Sequence, residues 1–166
     1  MRIELEQAGE ADAAAIAALR HASARQLTQR YGHGAWSATN ASIGGVAMEA
    51  RSGELFLART EGSVVASLRL SGRNPWLGDI GFFTSRTQPL YVTSMAVHPA
   101  VQRQGMGRAA VEAVFRLAAM RGNDAIRLDA FDAPAGAGGF YRKCGFRDVR
   151  RAQYFDTPLI WFERLL

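Results

Sequence analysis

One stretch of this sequence has residue types that could hold a polyanion: Val97-His98-Pro99-Ala100-Val101-Gln102-Arg103-Gln104-Gly105-Met106-Gly107-Arg108. It reads as a strand that leads through a tight basic turn into a helix. Gly105 and Gly107 allow the backbone to come close to a ligand. The unbonded N–H groups of a first helical turn, with the positive end of the helix dipole, suit a pyrophosphate. Arg103 and Arg108 add full charges; the plainer reading is a helix-start turn with solvated arginines. Two phosphate loops are excluded, because no Gly-Lys-Ser/Thr follows the glycines and their spacing is not Gly-x-Gly-x-x-Gly.

Other chemistry is sparse. Cys144 is the lone cysteine, so no disulfide can close within the chain and no multi-cysteine zinc site can form. No histidine accompanies it in its local motif, and it reads as a small buried residue rather than a nucleophile. His21, His33 and His98 lack paired metal-ligand spacing, so no metal is expected, and His98 reads as a turn residue. A single cysteine fits a reducing compartment. The opening residues hold no apolar run that could act as a leader, and no apolar run reaches membrane-spanning length. The expectation is a cytoplasmic, soluble protein without membrane contact.

Apolar residues make up 48% of the chain and charged residues 21%, the balance of a folded globular protein. At 166 residues a single domain over 1–166 is expected. The net charge of +5 rests on arginine, since Lys143 is the only lysine. With no run of five basic residues and no zinc-finger, homeodomain or RNP pattern, nucleic acid is not the expected partner. A phosphorylated small ligand explains the basic balance as well.

Several elements must position the 97–108 turn. Residues 2–6 read as a strand and 11–31 as an amphipathic helix through Ile16, Leu19, Ser23, Leu27 and Tyr31. A second helix is expected over 42–51, closed by Gly53. Runs 55–60 and 63–71 form a hairpin across Glu61-Gly62. Residues 72–89 read as a long irregular connection, followed by a strand at 90–97 that His98-Pro99 ends. A helix spans 105–121 and a strand 125–131. A short helix covers 135–144, and strands at 146–150 and 154–162 close the chain.

The turn resembles the signature of the GNAT family, the Gcn5-related N-acetyltransferases, which is Arg/Gln-x-x-Gly-x-Gly/Ala where strand meets helix. Gln102-Arg103-Gln104-Gly105-Met106-Gly107 matches every fixed position. Phe140-Tyr141-Arg142-Lys143-Cys144-Gly145-Phe146 is similar to a second family element, an aromatic-tyrosine pair ending a short helix, and the two lie one helix and one strand apart as the family has them. The resemblance covers about 90–149. It implies an α/β (α+β) GNAT fold: a central mixed, mostly antiparallel twisted sheet of six to seven strands with about four helices, splayed between the strands at 90–97 and 125–131.

It further implies acetyl-CoA as co-substrate and an acceptor amine, the chain being an acyltransferase. Met95, Ala96 and Val97 would pair with the pantetheine arm and polarise the thioester carbonyl. Backbone amides from Arg103 to Arg108, with Gln102, Gln104, Gly105, Met106 and Gly107, would hold the pyrophosphate, and Asp132 and Phe140 join the cofactor contacts. Tyr141 stands where the family often places the acid that protonates the departing thiolate. The family's strand glutamate has no counterpart in Tyr91-Val92-Thr93-Ser94-Met95-Ala96-Val97. Water held by Thr93 or Ser94, a carboxylate such as Asp79 or Asp132, or an already neutral amine are the open alternatives. Trp36, Trp76, Phe82 and Phe83 fall in segments that shape the family's acceptor pocket, or are simple packing aromatics. The acceptor is expected to be a primary amine of a small molecule or peptide. A CoA-binding module without transfer is the alternative function, and a homodimer is a possible assembly.

Overall fold

A computed structural model describes residues 2–38 and 41–166; Met1, at the head of the opening segment, lies outside them. In chain order the elements are β1 (Glu6–Gln7), α1 (Ala13–Tyr31), α2 (Ile43–Arg51), β2 (Leu55–Thr60), β3 (Ser63–Ser71), β4 (Pro89–Val97), α3 (Met106–Met120), β5 (Ala125–Phe131), α4 (Gly138–Lys143), β6 (Arg147–Tyr154) and β7 (Thr157–Leu165). The seven strands form one sheet in the order β1-β2-β3-β4-β5-β7-β6. β4 pairs with β5 in parallel, whereas β1–β2, β2–β3, β5–β7 and β6–β7 are antiparallel. The sheet is therefore mixed and mostly antiparallel, as the sequence led us to expect. The β4–β5 ladder runs only from Pro89↔Ala125 to Tyr91↔Arg127.

The chain packs as two compact units, Met1–Leu70 with Ser94–Val114, and Ser71–Thr93 with Phe115–Leu166; β4 and α3 each supply residues to both. In the first unit α1 and α2 bury Ile16, Ala17, Val46 and Ala50 with Leu55 and Leu57 of β2. Arg20, almost fully buried, forks onto Glu49 at 3.0 and 2.9 Å and locks the two helices together. Ala109, Ala110 and Ala113 of α3 pack against Ala58, Val65 and Ala66, with Met106 buried beside them. Small side chains on both helix and sheet let the backbones approach, and Met106 anchors the first turn of α3. Burying a side chain of that size contributes about 1.5–3 kcal/mol.

In the second unit an aromatic cluster of Trp76, Phe83, Tyr91 and Trp161 orders the stretch that reads as irregular in sequence. Beneath it lies a buried charge network. Glu163 has no exposed surface and accepts from Arg127 at 3.1 Å, Arg147 at 2.8 Å and the Thr84 N–H at 3.2 Å. Arg127 also donates to the Tyr91 hydroxyl at 3.0 Å and the Thr84 carbonyl at 2.6 Å.

Three boundaries differ from expectation. The first strand is Glu6–Gln7 rather than 2–6, because its pairing with Leu57 and Phe56 sets the register, not the local alternation of Ile3 and Leu5. The last hairpin turns at 155–156 rather than near 151–153, so β6 continues through Arg150-Arg151, paired with Trp161 and Ile160. α4 begins at Gly138, since 132–137 is occupied by a turn with Gly136 N–H bonded to the Ala133 carbonyl. The Glu61-Gly62 hairpin forms where expected, both residues having positive φ, 50° and 78°, as a tight two-residue turn requires.

Glu163→Gln leaves the Arg127 guanidinium buried without a counter-charge, and chemical denaturation should show a loss of about 3–5 kcal/mol. Unchanged stability would contradict the network's role. Burial alone would raise the Glu163 pKa, but hydrogen bonds from Thr84, Arg147 and Arg127 outweigh it and hold the carboxyl below its ordinary value of 4.5. A depressed carboxylate stabilises fully above its unfolded pKa and ceases to as pH falls through the folded one. The parent should accordingly lose more stability between about pH 5 and about pH 3 than Glu163→Gln does.

Candidate active site

The turn at 97–108 lies wholly in the first unit and is fixed by its own side chains. His98 N–H bonds to the Val65 carbonyl at 2.8 Å, and His98 Nδ1 accepts from Ala100 N–H at 3.2 Å. His98 is thus the turn residue the sequence suggests, and Pro99–Val101 forms a single 3-10 turn after it. Gln102 Nε2 donates to the Val97 carbonyl at 3.0 Å, and Gln104 Nε2 to the Ala100 carbonyl at 3.0 Å. The two glutamines therefore tie the turn into a closed frame, a role distinct from direct contact with a ligand.

Gly105 has φ +84° and open space where a Cβ would stand, so the position demands glycine for its backbone conformation and not for crowding. The first helical bond runs from Ala109 N–H to the Gly105 carbonyl at 2.9 Å. The amides of Met106, Gly107 and Arg108 precede it and have no carbonyl to meet within α3. Arg103, exposed and also in the left-handed region at φ +61°, stands immediately before them. Arg108 is exposed and bonded at 3.2 Å to Glu112 one turn on, so its charge is partly engaged. Met95 and Val97 are half-buried against the α3 cluster, and Ser94, within β4, has φ +53°.

Tyr141, Phe140 and Asp132 belong to the second unit. Tyr141 is buried among Phe140, Phe146 and Phe162, with ring centroids 5.2, 5.7 and 5.8 Å away. Burial first, then the fields of Asp129 and Cys144, push its phenol well above its ordinary value of 10. It stays protonated throughout the neutral range, as a proton donor must. Cys144 is buried and free, consistent with a packing role.

Of the carboxylates named from sequence, Asp132 is ion-paired with Arg151 at 3.0 Å, and Asp79 is exposed and accepts the Gly81 N–H at 2.7 Å in a local turn. A carboxylate absent from that reading is better placed. Asp129 on β5 lies opposite Trp161 in the β5–β7 ladder and accepts from Trp76 Nε1 at 3.2 Å. Burial raises its pKa, only partly offset by the Trp76 bond. No local motif marks it; the signal is a second charged residue, after Arg127, in a buried strand, and its environment emerges only once Trp76, 53 residues earlier, is bonded to it. Trp76 and Phe83 prove to be core aromatics, and Phe82 is half-buried beside them. Trp36 lies in the first unit, half-buried, with its indole N–H bonded to the Gly32 carbonyl at 2.9 Å.

Among the described residues no group of three or more His, Cys, Asp and Glu gathers as metal ligands would, and no helix is long and apolar enough to cross a membrane. The fold is similar to those of a GNAT-family acetyltransferase from Listeria monocytogenes (16% identity, TM-score 0.75, covering 99% of this chain and 95% of that one) and the PaiA N-acetyltransferase of Thermoplasma acidophilum, solved with coenzyme A (13%, 0.74, all of both chains). It is also similar to YncA of Salmonella typhimurium, a protein described as a putative acetyltransferase and solved with acetyl-CoA (17%, 0.69, 100% and 95%). No curated protein matches the chain. The family model described as the acetyltransferase (GNAT) family matches residues 16–146, which takes in most of the first helix, the 97–108 turn and the Tyr141 segment. With that model matching well over half of its length, this chain belongs to the GNAT acetyltransferases.

Proposed function

We propose that the 166 residues act as one acetyl-CoA-dependent N-acetyltransferase domain, which passes the acetyl group to a primary amine of a small molecule or peptide by direct attack in a ternary complex. The observation that carries this reading is the start of α3, where three consecutive amides lack helical partners beside the uncommitted Arg103. A diphosphate supplies the anionic oxygens such donors need. The solved PaiA and YncA structures, with coenzyme A and acetyl-CoA respectively, support that choice of ligand. The positive φ of Ser94, just before Met95, Ala96 and Val97, supports a role for the backbone of those three residues along the pantetheine arm.

In the reaction, the amine nitrogen bonds to the thioester carbonyl carbon and sheds a proton, the C–S bond breaks, and the sulfur takes a proton. We assign the second proton to Tyr141, whose buried phenol holds it at neutral pH. The first goes to Asp129, whose raised pKa brings it closer to that of a useful base than an ordinary aspartate. Exchange with solvent resets both groups. Asp129 also answers the missing β4 carboxylate that favours a module without transfer.

Calorimetric titration with acetyl-CoA, followed by CoA-thiol release across amines, polyamines, amino acids and peptides, tests the reading. Tyr141→Phe should lower kcat by about 10²-fold to 10⁴-fold with unchanged acetyl-CoA affinity; equal turnover would remove the phenol from the chemistry. Parent activity should fall on the acid side as Asp129 protonates, and Asp129→Asn should be slow with that limb flattened. Retention of the limb would assign the base elsewhere. Gly105→Ala forces a Cβ into the left-handed region, with an expected loss of about 1–2 kcal/mol of stability and weaker acetyl-CoA binding. Tight binding with no thiol release against any acceptor would leave the chain a coenzyme A-binding module.

A further inference from the structure

A groove of about 250 Å³ lies on the outer face of α1, lined by His21, Ala24, Arg25, Thr28, Gln29, His33 and Ser37. The α1 residues recur at the three-to-four spacing that puts them on one side of a helix. The groove contains two imidazoles, a guanidinium, an amide and two hydroxyls, and no carboxylate. The geometry points to a binding site for a small molecule that carries a carboxylate or phosphate group. This site is additional to the acetyl-transfer chemistry and does not depend on it.

Arg25 gives the strongest reason. Arg20, on the same helix, is buried and committed to Glu49, and Arg51, Arg59, Arg69, Arg127, Arg142, Arg147 and Arg151 are each paired with an acid. The Arg25 side chain has no ionic or hydrogen-bonding partner among the described residues, and neither have the side chains of Gln29 and His33. A guanidinium presents a planar fork of donors that fits two anionic oxygens at once. His21 donates through Nε2 to the Ala41 carbonyl at 3.1 Å, which fixes the ring as part of the wall with Nδ1 as an acceptor in the neutral form, so the donors to the anion are those of Arg25 and Gln29. The volume, equal to about eight waters, suits a metabolite-sized ligand rather than a polymer.

The far wall is built before any ligand arrives, which lowers the ordering cost of binding. Thr28 Oγ1 and Ser37 Oγ are 2.6 Å apart, and Ser37 Oγ also accepts the Gly34 N–H at 3.1 Å. The Ser37 N–H returns to the Gly34 carbonyl at 2.9 Å, and Gly32 N–H caps α1 on the Thr28 carbonyl at 2.9 Å. The Trp36 ring lies so close over Gly34 that an added Cβ would sit 2.5 Å from it. A side chain at Gly34 would therefore have to displace the Trp36 ring, although the extended backbone there suits any residue.

The test is titration of the full chain with inorganic phosphate, succinate and putrescine, read by NMR shifts of the His21 and Arg25 signals. Phosphate and succinate should both saturate those signals, and putrescine should not. Arg25→Gln, an exposed substitution, should weaken anion binding about tenfold or more and leave acetyl-CoA affinity unchanged. Gly34→Ala should weaken it by disturbing the wall while every charge stays in place. Anion binding that survives Arg25→Gln but disappears in Arg103→Ala would put the anion on the phosphate turn and overturn the proposal, as would no anion binding or a preference for putrescine. None of these outcomes bears on acetyl transfer, which is read separately by thiol release.

Discussion

A carboxylate without exposed surface governs the second unit. Glu163 on β7 would be costly to bury alone, and its field is met by Arg127 from β5, Arg147 from β6 and the Thr84 amide before β4. Each partner has further duties, because Arg127 also reaches the Tyr91 hydroxyl and lies 4.6 Å from the centre of the Phe83 ring. One ionised group thereby fixes the registers of several strands and the course of the 72–88 connection. Asp129 follows Arg127 by two positions on the same strand face, so the geometry that satisfies Glu163 also sets where Asp129 points.

The first unit solves a different problem. Its helix α3 must begin at one spot with its first amides unspent. Alanines on both surfaces, the buried Met106, the frame of Gln102 and Gln104 and the left-handed Gly105 together achieve this. The motif residues recognisable in sequence are thus of two kinds: some hold the turn in shape, and others leave donors free. Gln102 belongs to the first kind, which explains why the pattern needs a side chain able to reach back five residues to a carbonyl.

What could be read from sequence follows from how local the signal is. The phosphate turn, the Glu61-Gly62 hairpin and α1 are legible because glycine, proline and helical spacing act within a few residues. The Tyr141 segment is legible through family resemblance, while the burial of its phenol among Phe140, Phe146 and Phe162 depends on residues that spacing alone does not reveal. Asp129 is not legible, since its covering indole lies far away in a stretch with no period. The two-residue β1 escapes for the same reason: it exists by pairing with β2 at Leu57 and Phe56, far along the chain. Likewise Arg151, Ala152 and Gln153 look like turn residues until the β7 ladder absorbs them.

Arg103 combines a long cationic side chain with a backbone conformation that glycine or asparagine would adopt more readily. For such a residue the left-handed well lies about 1–2 kcal/mol uphill, an energy the folded chain carries whether or not any ligand is present. Selection for heat tolerance alone would therefore drift towards glycine or asparagine at this codon. Persistence of arginine there across a mutagenised population would record selection on what the side chain meets, and not on the durability of the fold.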